Sequence, residues 1–242
     1  MNGAGDYRAW KTWTTDSFGR CGPADAVYFA AELDAAGVKR RVSLSVLEIG
    51  FGNGGFAAWT KQQGWRYAGT ELDPELIARA RGAGFDVYPA ETPVAALAPA
   101  ERFDLVVAFD VLEHLAIEQT EALLQAMRAR LAPDGLVVAR VPSGDSPFSR
   151  AIQHGDMTHR ATIGSEMVVQ LCIKTGLRPL QIRAPVFPVR GLGFKRGLRR
   201  AAVSAGRVLV RNFLRVVYYD NQPRVVEPNM VIVLARDDGE MR

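Results

Sequence analysis

An α/β fold built on a parallel, doubly wound sheet is what this chain predicts, and three observations predict it. Short apolar strands alternate with helical segments from residue 44 to 141, the pattern of successive strand–helix–strand crossovers. The first strand runs through an acidic residue into a glycine-dense turn that opens a helix, Glu48-Ile49-Gly50-Phe51-Gly52-Asn53-Gly54-Gly55. The 242 residues suffice for one well-buried domain with an added cap, and 48% hydrophobic with 23% charged residues is ordinary for a globular chain.

Residues 1–20 carry Trp10, Trp13 and Phe18 among polar residues and read as an N-terminal arm lying over something. From Pro23 to Ala36 apolar positions recur at helical spacing, with Gly37 as the stop. The first strand covers about 44–49, and a helix follows the glycine turn to about Gln63. Trp65 to Thr70 gives a second strand ending at Glu71, and Pro74 suits the first turn of the next helix. Phe85–Tyr88 is a weak third strand and Phe103–Phe109 a strong buried fourth. A helix from about Gln119 to Leu131 leads through the turn Pro133-Asp134-Gly135 into a fifth strand, 136–141. Ser165–Thr175 is a helix stopped by Gly176, and strands near Leu180–Ile182 and Met230–Leu234 close the fold. The expected organisation is an arm and helix over 1–40, the ligand-binding sheet domain over 41–186, a basic amphipathic insertion over 187–222, and a last strand within 223–242.

Several function classes are excluded by what is missing. No apolar run approaches the roughly 20 residues that span a bilayer, and the opening residues lack the apolar segment of a secretion signal. Cys21 and Cys172 lie far apart, and Cys172 sits in an apolar stretch, so a buried thiol is expected rather than a disulfide. The chain therefore reads as cytoplasmic. Its net charge of +4 conceals an asymmetry: between Met167 and Tyr219 there are eleven basic residues and no acidic one, which leaves 19 basic against 26 acidic residues elsewhere.

In an open parallel sheet, ligands gather beyond the carboxyl ends of the strands. Those ends carry Glu48 with the glycines, then Glu71, then Ala90 and Glu91, then Asp110, Glu113 and His114, and finally Ser143 to His159. The glycine turn alone admits two ligands. Gly50-x-Gly52-x-x-Gly55 with Glu71 fits a dinucleotide, whereas Glu48-x-Gly50-x-Gly52-x-Gly54 fits a ligand carrying an amino group and a sulfonium. A carboxylate two residues before the first glycine sits badly beside a pyrophosphate. The three histidines, His114, His154 and His159, all fall in loops expected to face the pocket, and imidazole is the natural base near neutral pH. They lack the compact spacing of a metal motif, and no metal is expected.

Taken in order, Val46–Gly54, Gly69–Glu75, Phe103–Leu115 and Leu131–Gly135 resemble the successive motifs of class I S-adenosylmethionine (SAM)-dependent methyltransferases. The resemblance covers about 44–141, and the helix at 165–176 continues it. It implies a Rossmann-like, doubly wound, seven-stranded sheet with an antiparallel last strand placed beside the fifth, and SAM as cofactor. Carried over, Glu48, Gly50, Phe51, Gly52 and Gly54 hold the methionine end, Glu71 the ribose hydroxyls, Leu72 the adenine ring and Glu91 the adenine amino group. Asp110 and Val111 flank the methionine moiety.

Val141–Pro147 followed by Gly155-Asp156-Met157-Thr158-His159 is similar to a narrower group, bacterial methyltransferases of surface polysaccharide and lipopolysaccharide biosynthesis. That implies a sugar hydroxyl acceptor on a nucleotide- or lipid-linked glycan, with His159, His114 and Asp156 as the catalytic candidates. A small-molecule acceptor remains open, as does a peripheral membrane protein that binds SAM without turnover. The segment 192–217 sets arginines opposite apolar residues, the pattern of an amphipathic helix with a cationic face. It reads as a lid or as a contact with anionic headgroups at the inner face of a membrane. No RNA-reading module accompanies it, so nucleic acid is not expected as a partner.

Overall fold

The structure is a computed structural model and describes residues 4–14, 17–39, 43–92, 94, 102–220, 222 and 224–239. Helices α1 (Ala4–Trp10) and α2 (Pro23–Ala35) precede strand β1 (Ser45–Ile49), helix α3 (Gly55–Gln62), β2 (Arg66–Glu71), α4 (Pro74–Gly82), β3 (Asp86–Pro89) and β4 (Phe103–Phe109). Then come a single 3₁₀ turn at Leu112–His114, α5 (Ile117–Arg130), β5 (Leu131–Pro142), the short α6 (Arg150–Gln153), α7 (Ser165–Thr175), β6 (Leu177–Arg183), α8 (Phe194–Tyr218) and β7 (Asn229–Arg236).

Among the described residues these strands form one seven-stranded sheet in the order β3-β2-β1-β4-β5-β7-β6. The first five are parallel, and β7 runs antiparallel to both β5 and β6. The order reverses between β1 and β4, so a crevice opens beyond their carboxyl ends, where the glycine turn and the loop after β4 meet.

Side-chain alternation explains both cores. Val46 of β1 joins Leu105, Val107, Val138 and Val233 on one face, covered by Leu33 of α2 and by Phe56 and Trp59 of α3. Leu47 and Ile49 join Val106, Val137 and Ile232 on the other, covered by Leu124 and Met127 of α5 and Leu171 and Cys172 of α7. The central strands are covered on both faces, so β1 is buried along its whole length, Ser45 and Glu48 included, and β4 along all but Asp104 and Phe109.

Helix boundaries follow local chemistry. Asp73 caps α4, accepting from Glu75 N (2.9 Å) and Leu76 N (3.5 Å), with Pro74 opening the helix. Gly176 ends α7 at φ 65°.

Three expectations are corrected. β5 starts at Leu131, not 136, because Leu131 already pairs with Phe103, and Pro133-Asp134-Gly135 is where the register against β4 shifts. The last two strands are longer than their apolar cores suggest, because the polar ends Arg178, Arg183 and Arg236 still pair across the ladder. The helix after β4 starts at Ile117, with Gln119 Oε1 accepting from Ala116 N at 3.0 Å. The segment boundary at 40–41 lies outside the described residues.

Candidate functional site

At the head of the crevice Gly50, Gly52 and Gly54 all take positive φ, 67°, 54° and 72°. Two of them are also sterically bound to be glycine. A Cβ on Gly50 would stand 2.8 Å from Val111 Cγ2, and one on Gly52 would stand 2.9 Å from the Trp13 ring. The turn is stapled to the end of β2 through Glu71, whose Oε2 accepts from Gly52 N (2.8 Å) and whose Oε1 accepts from Leu72 N (2.7 Å) and Asp73 N (3.2 Å). Burial pushes the Glu71 pKa up, against the pull of those three amides.

Glu48 lies one residue before the end of β1, two positions from Gly50. It is buried in the sheet and accepts from Tyr67 Oη at 2.7 Å. Burial pushes its pKa up to about 8. Phe51 is also buried, packed with Leu76 and Ile77. Leu72 is exposed at the rim, and Glu91 is exposed in the turn after β3, where Ala90 N donates to Glu71 O at 2.8 Å.

The arm does lie over something: the glycine turn. Trp13 covers Gly52 and Phe18 covers Gly54, while Asn53 Nδ2 donates to Ser17 O (3.0 Å) and Gly19 N donates to Asn53 O (2.9 Å). Arg8 pairs with Asp73 and Glu75 at the start of α4. Tyr7 stands edge-on to His114, with ring centroids 6.2 Å apart. Its hydroxyl pKa is raised by burial and by Asp156, Asp110, Glu113 and Glu71, so the arm reaches into the middle of the acidic groups.

Beside the arm, the loops after β4 and β5 enclose a cavity of about 230 Å³, whose wall includes Trp10, Asp110, Glu113, His114, Asp156 and His159. The loop after β4 turns sharply at Asp110 (φ 58°), held by Arg140 of β5, whose Nε donates to Asp110 Oδ1 at 2.8 Å and whose Nη1 donates to Tyr28 Oη at 3.1 Å. An arginine in the middle of the apolar run of β5 was the available sequence signal for this pair. Glu113 and Asp156 are buried, and one oxygen of each has no hydrogen-bond partner. Burial raises Glu113 to about 8. Burial raises Asp156 too, but the bonds from Thr158 Oγ1 (2.5 Å) and Thr158 N (3.0 Å) outweigh it and bring Asp156 below its ordinary value.

These bonds fix both histidine tautomers. Thr158 Oγ1 spends its one proton on Asp156, so at 2.8 Å it accepts from His114 Nδ1. His159 Nδ1 donates to Gln153 O at 3.0 Å. Each ring therefore keeps a free lone pair on Nε2 in its neutral form. His159 Nε2 lies 3.8 Å from Asp156 Oδ2 and 4.0 Å from Glu113 Oε1, and burial together with the His159 ring lowers the His114 pKa. One ligand atom each from Glu113, His114 and His159 falls within 4.8 Å of the others, a set able to hold a divalent ion that the linear spacing did not reveal. His154 is exposed and does not line the cavity.

A family model described as a methyltransferase domain matches residues 23–181. No curated protein sequence matches the chain. Among solved structures, a SAM dependent methyltransferase from Archaeoglobus fulgidus superposes with a TM-score of 0.60 at 19% identity, over 86% of this chain and 93% of that one. A second, from Mesorhizobium loti, gives 0.57 at 18% identity over 89% of this chain and 100% of that one. The mitomycin 7-O-methyltransferase MmcR gives 0.56 at 16% identity over 88% of this chain and 53% of that one.

Proposed function

Because this chain belongs to the methyltransferase domain family, we propose that it is a SAM-dependent O-methyltransferase whose acceptor is a sugar hydroxyl of a surface glycan or of its nucleotide- or lipid-linked precursor. The residues at the crevice fit the cofactor. The positive-φ glycines keep the turn free of side chains of its own beneath Val111, Trp13 and Phe18, and Glu71, with room for about four hydrogen bonds, has spent three on amides. The remaining acceptor site suits a ribose hydroxyl, and exposed Leu72 suits the adenine face. When bound, the cofactor supplies a methyl group on a sulfonium, open to in-line attack.

The observation that carries the reading is His159 on the cavity wall. The Gln153 carbonyl holds it in one tautomer, and its basic Nε2 lies between the Asp156 and Glu113 carboxyl groups. There it takes the hydroxyl proton of the acceptor, and the Asp156 carboxylate steadies the imidazolium that forms. His114 and Thr158 hold Asp156 in place. Lys11, Asp110 and Asn229 give the wall donors and acceptors for a polyhydroxylated ligand, and Trp10 gives it an apolar face.

Incubation with methyl-labelled SAM and fractionated cell-envelope glycan precursors tests the reading, with label expected in a sugar-containing fraction. His159→Ala should cut turnover by about a hundredfold or more while leaving SAM affinity by calorimetry unchanged. A chelator should leave wild-type turnover as it is. Normal turnover by the variant removes the base, label confined to molecules that carry no sugar removes the glycan acceptor, and chelator sensitivity assigns the cluster to an ion instead.

A further inference from the structure

We propose that α8 is a docking surface for an anionic lipid bilayer, lying in the headgroup region with its apolar stripe inward. The inference rests on this helix alone and is independent of the methyl acceptor.

The helix runs 25 residues, about 37 Å, and none of its side chains is buried. Its orientation is the reverse of an ordinary surface helix. The arginine face turns toward the body: the Arg200 and Arg207 guanidinium groups lie 4.4 and 4.3 Å from the Phe187 ring centroid. Arg200 Nη1 donates to Pro188 O at 2.9 Å, and Arg211 Nη1 lies 3.4 Å from Glu227 Oε1. The opposite face carries Phe194, Leu198, Leu209, Phe213 and Val216, all 61–86% exposed and aligned along one stripe. A contiguous apolar stripe of this kind marks a partner or a membrane.

Charge chooses between them. From Phe194 to Tyr218 there is no acidic residue, and Lys195, Arg199 and Arg215 are exposed around the stripe. A second copy pairing through α8 would bring two cationic rims together with no carboxylate on either helix to oppose them. Anionic headgroups complement the same rim, and exposed Tyr218 at the helix end suits the interface. Among the described residues no helix is long and apolar enough to cross a membrane, so α8 lies on the bilayer and does not span it.

The test is flotation of the full chain with vesicles of phosphatidylcholine alone or of phosphatidylcholine with phosphatidylglycerol. Flotation is expected only with the anionic vesicles, weakening as salt rises. Replacing Lys195 and Arg199 together by Gln should weaken it at least about tenfold. Leu209→Asp with Phe213→Asp should abolish it with the thermal midpoint unchanged, since both positions are exposed. Equal flotation on neutral vesicles, none on either, or flotation by the double aspartate variant overturns the proposal. So does a wild-type dimer, by sedimentation equilibrium, that the aspartate variant dissolves.

Discussion

Glu48 and Glu71 close adjacent parallel strands with the same chemistry and do different work. Glu71 sits at the crevice, whereas Glu48 is tied to Tyr67 across the ladder, over Gly69, where a Cβ would stand only 2.5 Å from the tyrosine hydroxyl. The folded state keeps the Glu48 proton to about pH 8, while an unfolded chain releases it near the ordinary 4.5. Its contribution to stability is therefore complete below about 4.5 and is lost as pH climbs through 8. The urea midpoint of the wild type should fall across that window, and Glu48→Gln, which keeps the tyrosine bond, should flatten the fall. An equal decline in both proteins would remove Glu48 as its source. Residue spacing made both carboxylates visible but not the direction of either side chain, since the Tyr67 hydroxyl reaches Glu48 only through the space that Gly69 leaves.

At the level of elements, α2 and the stretch after β6 are clasped by charge. Glu32 is fully buried in α2, with Oε1 2.6 Å from Arg183 Nη1 and Oε2 accepting from Val186 N at 2.9 Å. Arg183→Ala leaves that carboxylate in place without its counter-charge. The expected loss is about 3 kcal/mol, read as a lower urea midpoint. Adding Glu32→Gln should restore part of it, and strictly additive losses would show the two residues do not interact. Strand and helix positions were largely legible because apolar periodicity is local, as Phe103–Phe109 and Ser165–Thr175 show. The clasp was not, because its partners lie far apart in the chain and only the folded sheet brings them together. His114 and His159, by contrast, were expected in loops facing one pocket, and their ring centroids lie 4.7 Å apart across those loops.

For the molecule as a whole, β7 is the strand that the others wait for. It bonds to β5 along Leu136–Pro142 and to β6 along Leu177–Arg183, and Met230 to Leu234 are almost wholly buried. A chain ending at residue 228 should show no cooperative urea transition by circular dichroism; a sharp one would mean that the first six strands are self-sufficient. The antiparallel seventh strand was legible only through resemblance, since nothing in the apolar run at 230–234 states its direction. Synthesis runs in the other order. On the ribosome six strands emerge before the one that joins the last of them to the rest, so the nascent chain passes through an interval with the edges of β5 and β6 bare. Unpaired edges of that kind invite pairing with other chains. Slow synthesis of the segment that carries β7, or a crowd of neighbouring polysomes, would then cost yield long before any mature molecule lost activity.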